Sequence, residues 1–194
     1  MVIWNDCSNL QPNFSSLFIC KIILDHYKYN NSNNFLFVWK SDKKINLYMI
    51  LNFLIGNQED SNNRCIQDIW VMNDREIENT HNFIQWIFPL SERSEAVPNS
   101  PIVSEEEVYQ IKNSELAQNN IKKSSDWFLG FLERNKYWIC YSNHNHLRIT
   151  RAIKSLRLIH SNKEAEKFKT GIINLIEGNE DKISSISIEF WKNS

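Results

Sequence analysis

Glycine and proline punctuate a polypeptide, and this chain has only four of each in 194 residues. A β-sandwich or barrel turns sharply at roughly every 8–12 residues and draws heavily on both residue types. Their scarcity points to helices joined by short polar connections. The composition supplies the rest of the frame: 42% hydrophobic and 23% charged residues, enough to bury a core and too apolar for a disordered chain. The length suits one domain of ordinary size. A net charge of −1 removes the broad positive field by which general nucleic-acid binders hold phosphate, so nucleic acid is disfavoured as a partner.

The expected compartment is the cytoplasm. Cys7, Cys20, Cys65 and Cys140 are dispersed and form no CxxC pair, so four reduced thiols are the default. The opening "MVIWNDC" lacks the basic start of a signal peptide. The apolar run "SSLFICKIILDHY" is interrupted by Lys21 and stopped by Asp25, too short to span a membrane.

Three regions are expected. Residues 1–45 read as an N-terminal extension, with a short helix or buried strand in "LFICKIILDHYKY", a loop over 29–34 and a strand in "NNFLFVWK". Residues 46–178 read as a helical domain. "NLYMILNFLIG" is an apolar helix closed by Gly56, and "RCIQDIWV" a short one. Asn73 or Asp74 then caps "DREIENTHNFIQWIF", where Ile77, His81, Ile84 and Phe88 recur on one helical face until Pro89 ends it. Ser104 with Glu107, and Ser161 with Glu164, have capping-box spacing. "SELAQNNIKKSSDWFLGFL" is a longer helix expected to bury Leu116, Ile121, Phe128 and Leu132. In "HNHLRITRAIKSLRLIH" the stripe is Leu147, Thr150, Ile153 and Leu156. Gly178 stops the helix after Ser161, and residues 179–194 form a tail whose alternation fits a strand or a frayed helix. The fold class is therefore a mainly α, single-domain helical bundle, with room for one or two short strands in the extension and the tail.

Two of these blocks carry a resemblance. "THNFIQWIFPL" (80–90) and "HNHLRITRAIKSLRL" (144–158) are similar to the opioid growth factor receptor domain family. "NSPIVSEEEV", "WFLGFL" and "RCIQDIWVMNDREIE" extend the likeness to roughly residues 46–176. The resemblance implies an all-α domain, and in the family's named member a receptor for a short opioid peptide. The C-terminal repeats of that member have no counterpart in these 194 residues, so the expected kin are short, single-domain members.

The same blocks hold the candidate site. A helix beginning near Asn143 offers free amide groups and a partial positive charge at its start. His144, Arg148 and Arg151 follow on one face, and no Asp or Glu occurs between residues 143 and 163. Forked guanidinium groups at such a place suit a carboxylate or phosphate. In the other block, His81 and Gln85 lie one turn apart, with Trp86 beside them. The blander alternative has Asn143 merely capping the helix, Arg148 or Arg151 pairing with Asp74, Glu76 or Glu78, and Trp86 packed in the core.

The expected ligand-binding set is His81, Gln85, Trp86, His144, Asn145, Arg148 and Arg151, drawn together where the two blocks touch. The ligand would be an anionic small molecule or a peptide terminus, held by a soluble, non-enzymatic interaction module. An enzyme using His81 or His144 as acid–base is the alternative. No catalytic nucleophile, metal set or cofactor is expected: "HNH" lacks further fixed ligands for zinc, and no glycine-rich phosphate loop is present.

Overall fold

The computed structural model of the chain describes residues 48–194. The helix, loop and strand expected within residues 1–45 lie outside the described residues. The described part is helical and has no strand. The tail, for which a strand was one expectation, is a helix.

The local signals place most helix ends. α1 (Met49–Leu54) stops before Gly56, whose φ of +80° is open to glycine and strained for other residues. α2 (Ile66–Trp70) is short. α3 (Asp74–Asn79) starts at Asn73, whose side chain accepts from the Glu76 amide while Glu76 accepts from the Asn73 amide. α4 (Ile84–Ile87) follows, then α5 (Glu105–Asn113), capped by Ser104. α6 (Glu115–Arg134) is capped by Ser114, and a 3₁₀ turn, Lys136–Trp138, leads toward α7 (His144–Ile159), capped by Asn143. Ser161 caps α8 (Asn162–Ile176), and α9 (Ser185–Asn193) closes the order.

The expected single helix through residues 74–88 is two helices. Thr80 takes up extended geometry (φ −99°, ψ 121°) and the chain reopens as α4 at Ile84. The four-three-four spacing of Ile77, His81, Ile84 and Phe88 misleads because Ile77, Ile84 and Phe88 are buried from two short helices while His81 is exposed.

Ile45–Ser194 forms one compact unit. Its centre is the packing of α7 on α8, with α6 against α8, α5 against α6 and α7, and α1 against α4, α5 and α6. Along α6, Ala117, Ile121, Ser124, Phe128 and Phe131 repeat at helical spacing and are all buried. Phe128 stacks on Phe131 and on Phe168 of α8, with ring centroids 6.1 and 6.2 Å away. Each such fully buried side chain contributes about 1.5–3 kcal/mol by removal of apolar surface from water.

Two expected core residues are on the outside. Leu116 is 54% exposed and Leu147 71%. The buried stripe of α7 is instead Ile149, Ala152, Ile153, Leu156 and Ile159. Thr150 is half-buried, and its hydroxyl donates back to the His146 carbonyl.

Glu107 has a role that its acidic neighbours conceal. It is 4% exposed, and one carboxylate oxygen accepts from the amides of Ile50 (2.7 Å) and Leu51 (2.9 Å). It caps α1 from a different helix, satisfying donors that α1 cannot pair internally. Burial pushes its carboxyl above the ordinary range, against the pull of the two amides.

Candidate functional site

The 77–90 segment runs along α7, and the two are laced together in order. Arg148, 5% exposed, donates from Nη1 to the Ile77 carbonyl (3.1 Å) and to Asn145 Oδ1 (3.1 Å), and from Nη2 to the Thr80 carbonyl (2.8 Å). Its guanidinium carbon lies 5.5 Å from the Phe83 ring centroid. One turn later Arg151 Nε donates to the Phe88 carbonyl (2.8 Å), and Ser155 Oγ donates to the Pro89 carbonyl (2.7 Å). These carbonyls are what a broken helix leaves without amide partners. The arginines therefore close backbone gaps rather than forming an open positive face.

The carboxylates named as partners for these arginines are engaged elsewhere. Asp74 pairs with Arg134 (2.8 Å), and Glu76 caps its own helix. Glu78 receives Asn145 Nδ2 (3.1 Å) and lies 3.3 Å from His144 Nε2. Tyr137 lies beside Glu78; burial and that carboxylate push its hydroxyl up to about 12. The His81 and His144 rings are 5.2 Å apart. Burial, and then the charge on Arg148, hold His144 below the usual imidazole range against the attraction of Glu78. Burial also lowers the guanidinium of Arg148.

The structure thus brings together His81, His144, Asn145 and Arg148, with Glu78 and Tyr137 completing the cluster. It does not bring Gln85 or Trp86 into it. Gln85 is 4% exposed, and its carbonyl oxygen has no hydrogen-bond partner among the described residues. Trp86 is 5% exposed, packs on Phe53 at 5.1 Å, and lines a separate hollow with Glu59 and Ser100. Arg151 is held by the bond from its Nε to the Phe88 carbonyl. Its Nη2 is buried without a partner, and burial pushes its guanidinium down to about 10, with Glu92 the attracting charge.

The third letter of "HNH" has a structural part. His146 Nε2 lies 2.9 Å from the Trp138 carbonyl, so it carries the proton, and Nδ1 accepts from Ser187 Oγ at 3.2 Å. Trp191 packs edge-on against the same ring at 5.4 Å and donates Nε1 to the His146 carbonyl. This docks α9 on α7. Nothing in the spacing of His146 distinguishes it from His144, which faces the other way. Glu78 and Tyr137 had only their nearness to the two blocks as a signal.

Among the described residues no group of three His, Cys, Asp or Glu side chains is placed to hold a metal ion, and no helix is long and apolar enough to cross a membrane.

The model of the opioid growth factor receptor conserved region matches residues 39–137. That is half of the chain. The protein belongs to the opioid growth factor receptor family. The match includes the 80–90 block and stops short of α7, so the second block lies beyond it. The opioid growth factor receptor of Mus musculus is 31% identical to this opioid growth factor receptor family member over 116 residues, which is 49% of this chain and 18% of the receptor. The chain therefore spans under a fifth of the relative it matches. No solved structure matches significantly.

Proposed function

We propose that this domain is an interaction module that recognises an acidic group, either a peptide carboxylate or a small anion, with Arg151 making the contact. One observation carries this reading. Arg151 is a part-buried cation with an unpartnered nitrogen and no carboxylate within ion-pair distance among the described residues. A cation stripped of water and left unpaired gains from an incoming anion. Arg151 is part-exposed as a residue although Nη2 is buried, so a ligand would reach that nitrogen by a turn of the guanidinium; Lys154, exposed one turn further on, lies 3.7 Å from Glu92.

Arg148 fits this role less well, because its nitrogens already serve three acceptors. The Mus musculus relative is named a receptor, which agrees with ligand recognition as the class of activity. Nothing among the described residues favours the acid–base alternative for His81 or His144. The cytoplasm is the proposed location, on the dispersed cysteines alone; Cys65 and Cys140 are free thiols.

The test is calorimetric titration of the full chain with inorganic phosphate and with a blocked tetraglutamate peptide. Saturable binding should weaken about tenfold or more in Arg151→Met, the loss expected for a charged hydrogen bond. Equal affinity in a folded Arg151→Met variant, or no saturable binding to either probe, overturns the reading.

A further inference from the structure

We propose that the hollow at Trp86 is a binding site for an organic cation of the lysine side-chain type, carried by a partner peptide. The proposal is independent of the acidic-group reading, since the hollow does not include Arg151.

The hollow has a volume of about 410 Å³ and is walled by Met49 at the start of α1, Trp86 of α4, and the 58–61 and 99–101 loops. That size lies within the usual range for small-molecule or side-chain sites. Trp86, Met49 and Pro101 provide apolar wall, which suits the methylene stem of a long side chain.

The polar groups select the charge. No Lys, Arg or His lines the hollow. Asp60 is already spent: Arg64 Nε donates to one of its oxygens at 2.7 Å, and the amides of Asn62 and Arg64 donate to the other. Glu59, beside it, is exposed and makes no ion pair among the described residues. Ser100 Oγ is buried and has no hydrogen-bond partner among the described residues. An ammonium group carries three donors and no acceptor. It can give one hydrogen bond to the Glu59 carboxylate and one to Ser100 Oγ, both of which line the hollow. An anion would meet Glu59 with nothing to offset the repulsion.

The test uses the full chain and amide-resolved NMR. The probe is Nα-acetyl-lysine methylamide, with Nα-acetyl-norleucine methylamide as its neutral counterpart. The lysine probe should give saturable shifts at the Trp86 indole and the Ser100 amide, and the norleucine probe much smaller ones. Glu59→Gln, an exposed substitution that leaves the fold alone, should weaken lysine binding about tenfold, as expected for loss of a charged hydrogen bond. Ser100→Ala should weaken it further. Equal shifts from both probes, no saturable shift at Trp86, or unchanged affinity in Glu59→Gln overturns the proposal.

Discussion

Arg148 is the side chain on which the join between the two sequence blocks turns, and replacing it with methionine isolates its polar contribution. Methionine retains most of the apolar stem, but it cannot donate and it loses the guanidinium contact with Phe83. Three acceptors then lose their partner: the Ile77 and Thr80 carbonyls and Asn145 Oδ1. A buried acceptor left unpaired costs about 1–3 kcal/mol. The bond to Ile77 is fully buried and bears that cost, whereas the bond to Thr80 is part-buried, so water can take over some of the loss. Removing a desolvated cation gives some stability back. The expected net loss is about 2–4 kcal/mol. In a domain of this size that lowers Tm by about 5–15 °C. Urea unfolding followed by circular dichroism at pH 7 measures it, with hydrogen exchange at residues 80–83 reporting whether the loosening is local. Arg148→Lys should fall between parent and Arg148→Met, since one ammonium cannot bridge the same forked set of acceptors. An Arg148→Met variant within about 0.5 kcal/mol of the parent, the scatter of ordinary surface substitutions, with an unchanged m value would refute the account of the join.

Two further substitutions probe the frame around it. Burial raises the Glu107 carboxyl above its ordinary 4.5, so the folded state favours the protonated form; the favourable contribution is complete below that value and is lost as pH rises through the folded pKa. Glu107→Gln keeps an acceptor for the Ile50 and Leu51 amides without the charge. Its stability relative to the parent should therefore improve between pH 4 and pH 7, and a gap between their denaturation midpoints that stays constant with pH would contradict this. Trp191→Ala removes the fully buried ring that holds α9. A large aromatic truncation costs about 3–5 kcal/mol when the whole fold bears it, but α9 can detach by itself, so the global midpoint should fall by less. Hydrogen exchange should show lost protection across residues 185–193, and retained protection there would argue that other contacts dock the helix.

Much of the fold was written locally. Asn73, Ser104, Ser114, Asn143 and Ser161 all cap helices as their chemistry predicts, and Gly56 and Gly178 adopt the positive φ expected after a helix end. What escaped was decided at a distance. The break at Thr80–Phe83 is compensated by an arginine about seventy residues later, and no window of neighbouring residues contains that information. Leu116 and Leu147 show the limit of apolar identity as a sign of burial: many apolar side chains remain on the surface of folded proteins. For the site, residue types announced what could be donated but not to whom. A guanidinium aimed at a ligand and one aimed at a backbone carbonyl have the same letters around them.

That ambiguity bears on what the two blocks mean. Arg148, Arg151 and Ser155 meet carbonyls of residues 77, 80, 88 and 89 in rising order, so the second block reads the first along its backbone. Side chains that pair with backbone groups are demanding in position and indifferent to the identity of the residue whose carbonyl they use. A motif built this way specifies how a broken helix is held against α7, and it would do so whether or not anything binds. The recognition proposed above then falls to what the lacing leaves over. Four such remainders lie in the blocks themselves: the buried carbonyl oxygen of Gln85, Nε2 of His144, Nη2 of Arg151 and Nε of Arg157. A fifth is the hollow that Trp86 lines together with Glu59 and Ser100, whose Oγ is buried without a partner. A ligand that touched only the satisfied groups would have to break native hydrogen bonds to gain its own, with little net return. One that met the unsatisfied groups would gain those bonds without that loss, and this difference is why the proposed contacts centre on Arg151 and Trp86 and not on the more prominent Arg148.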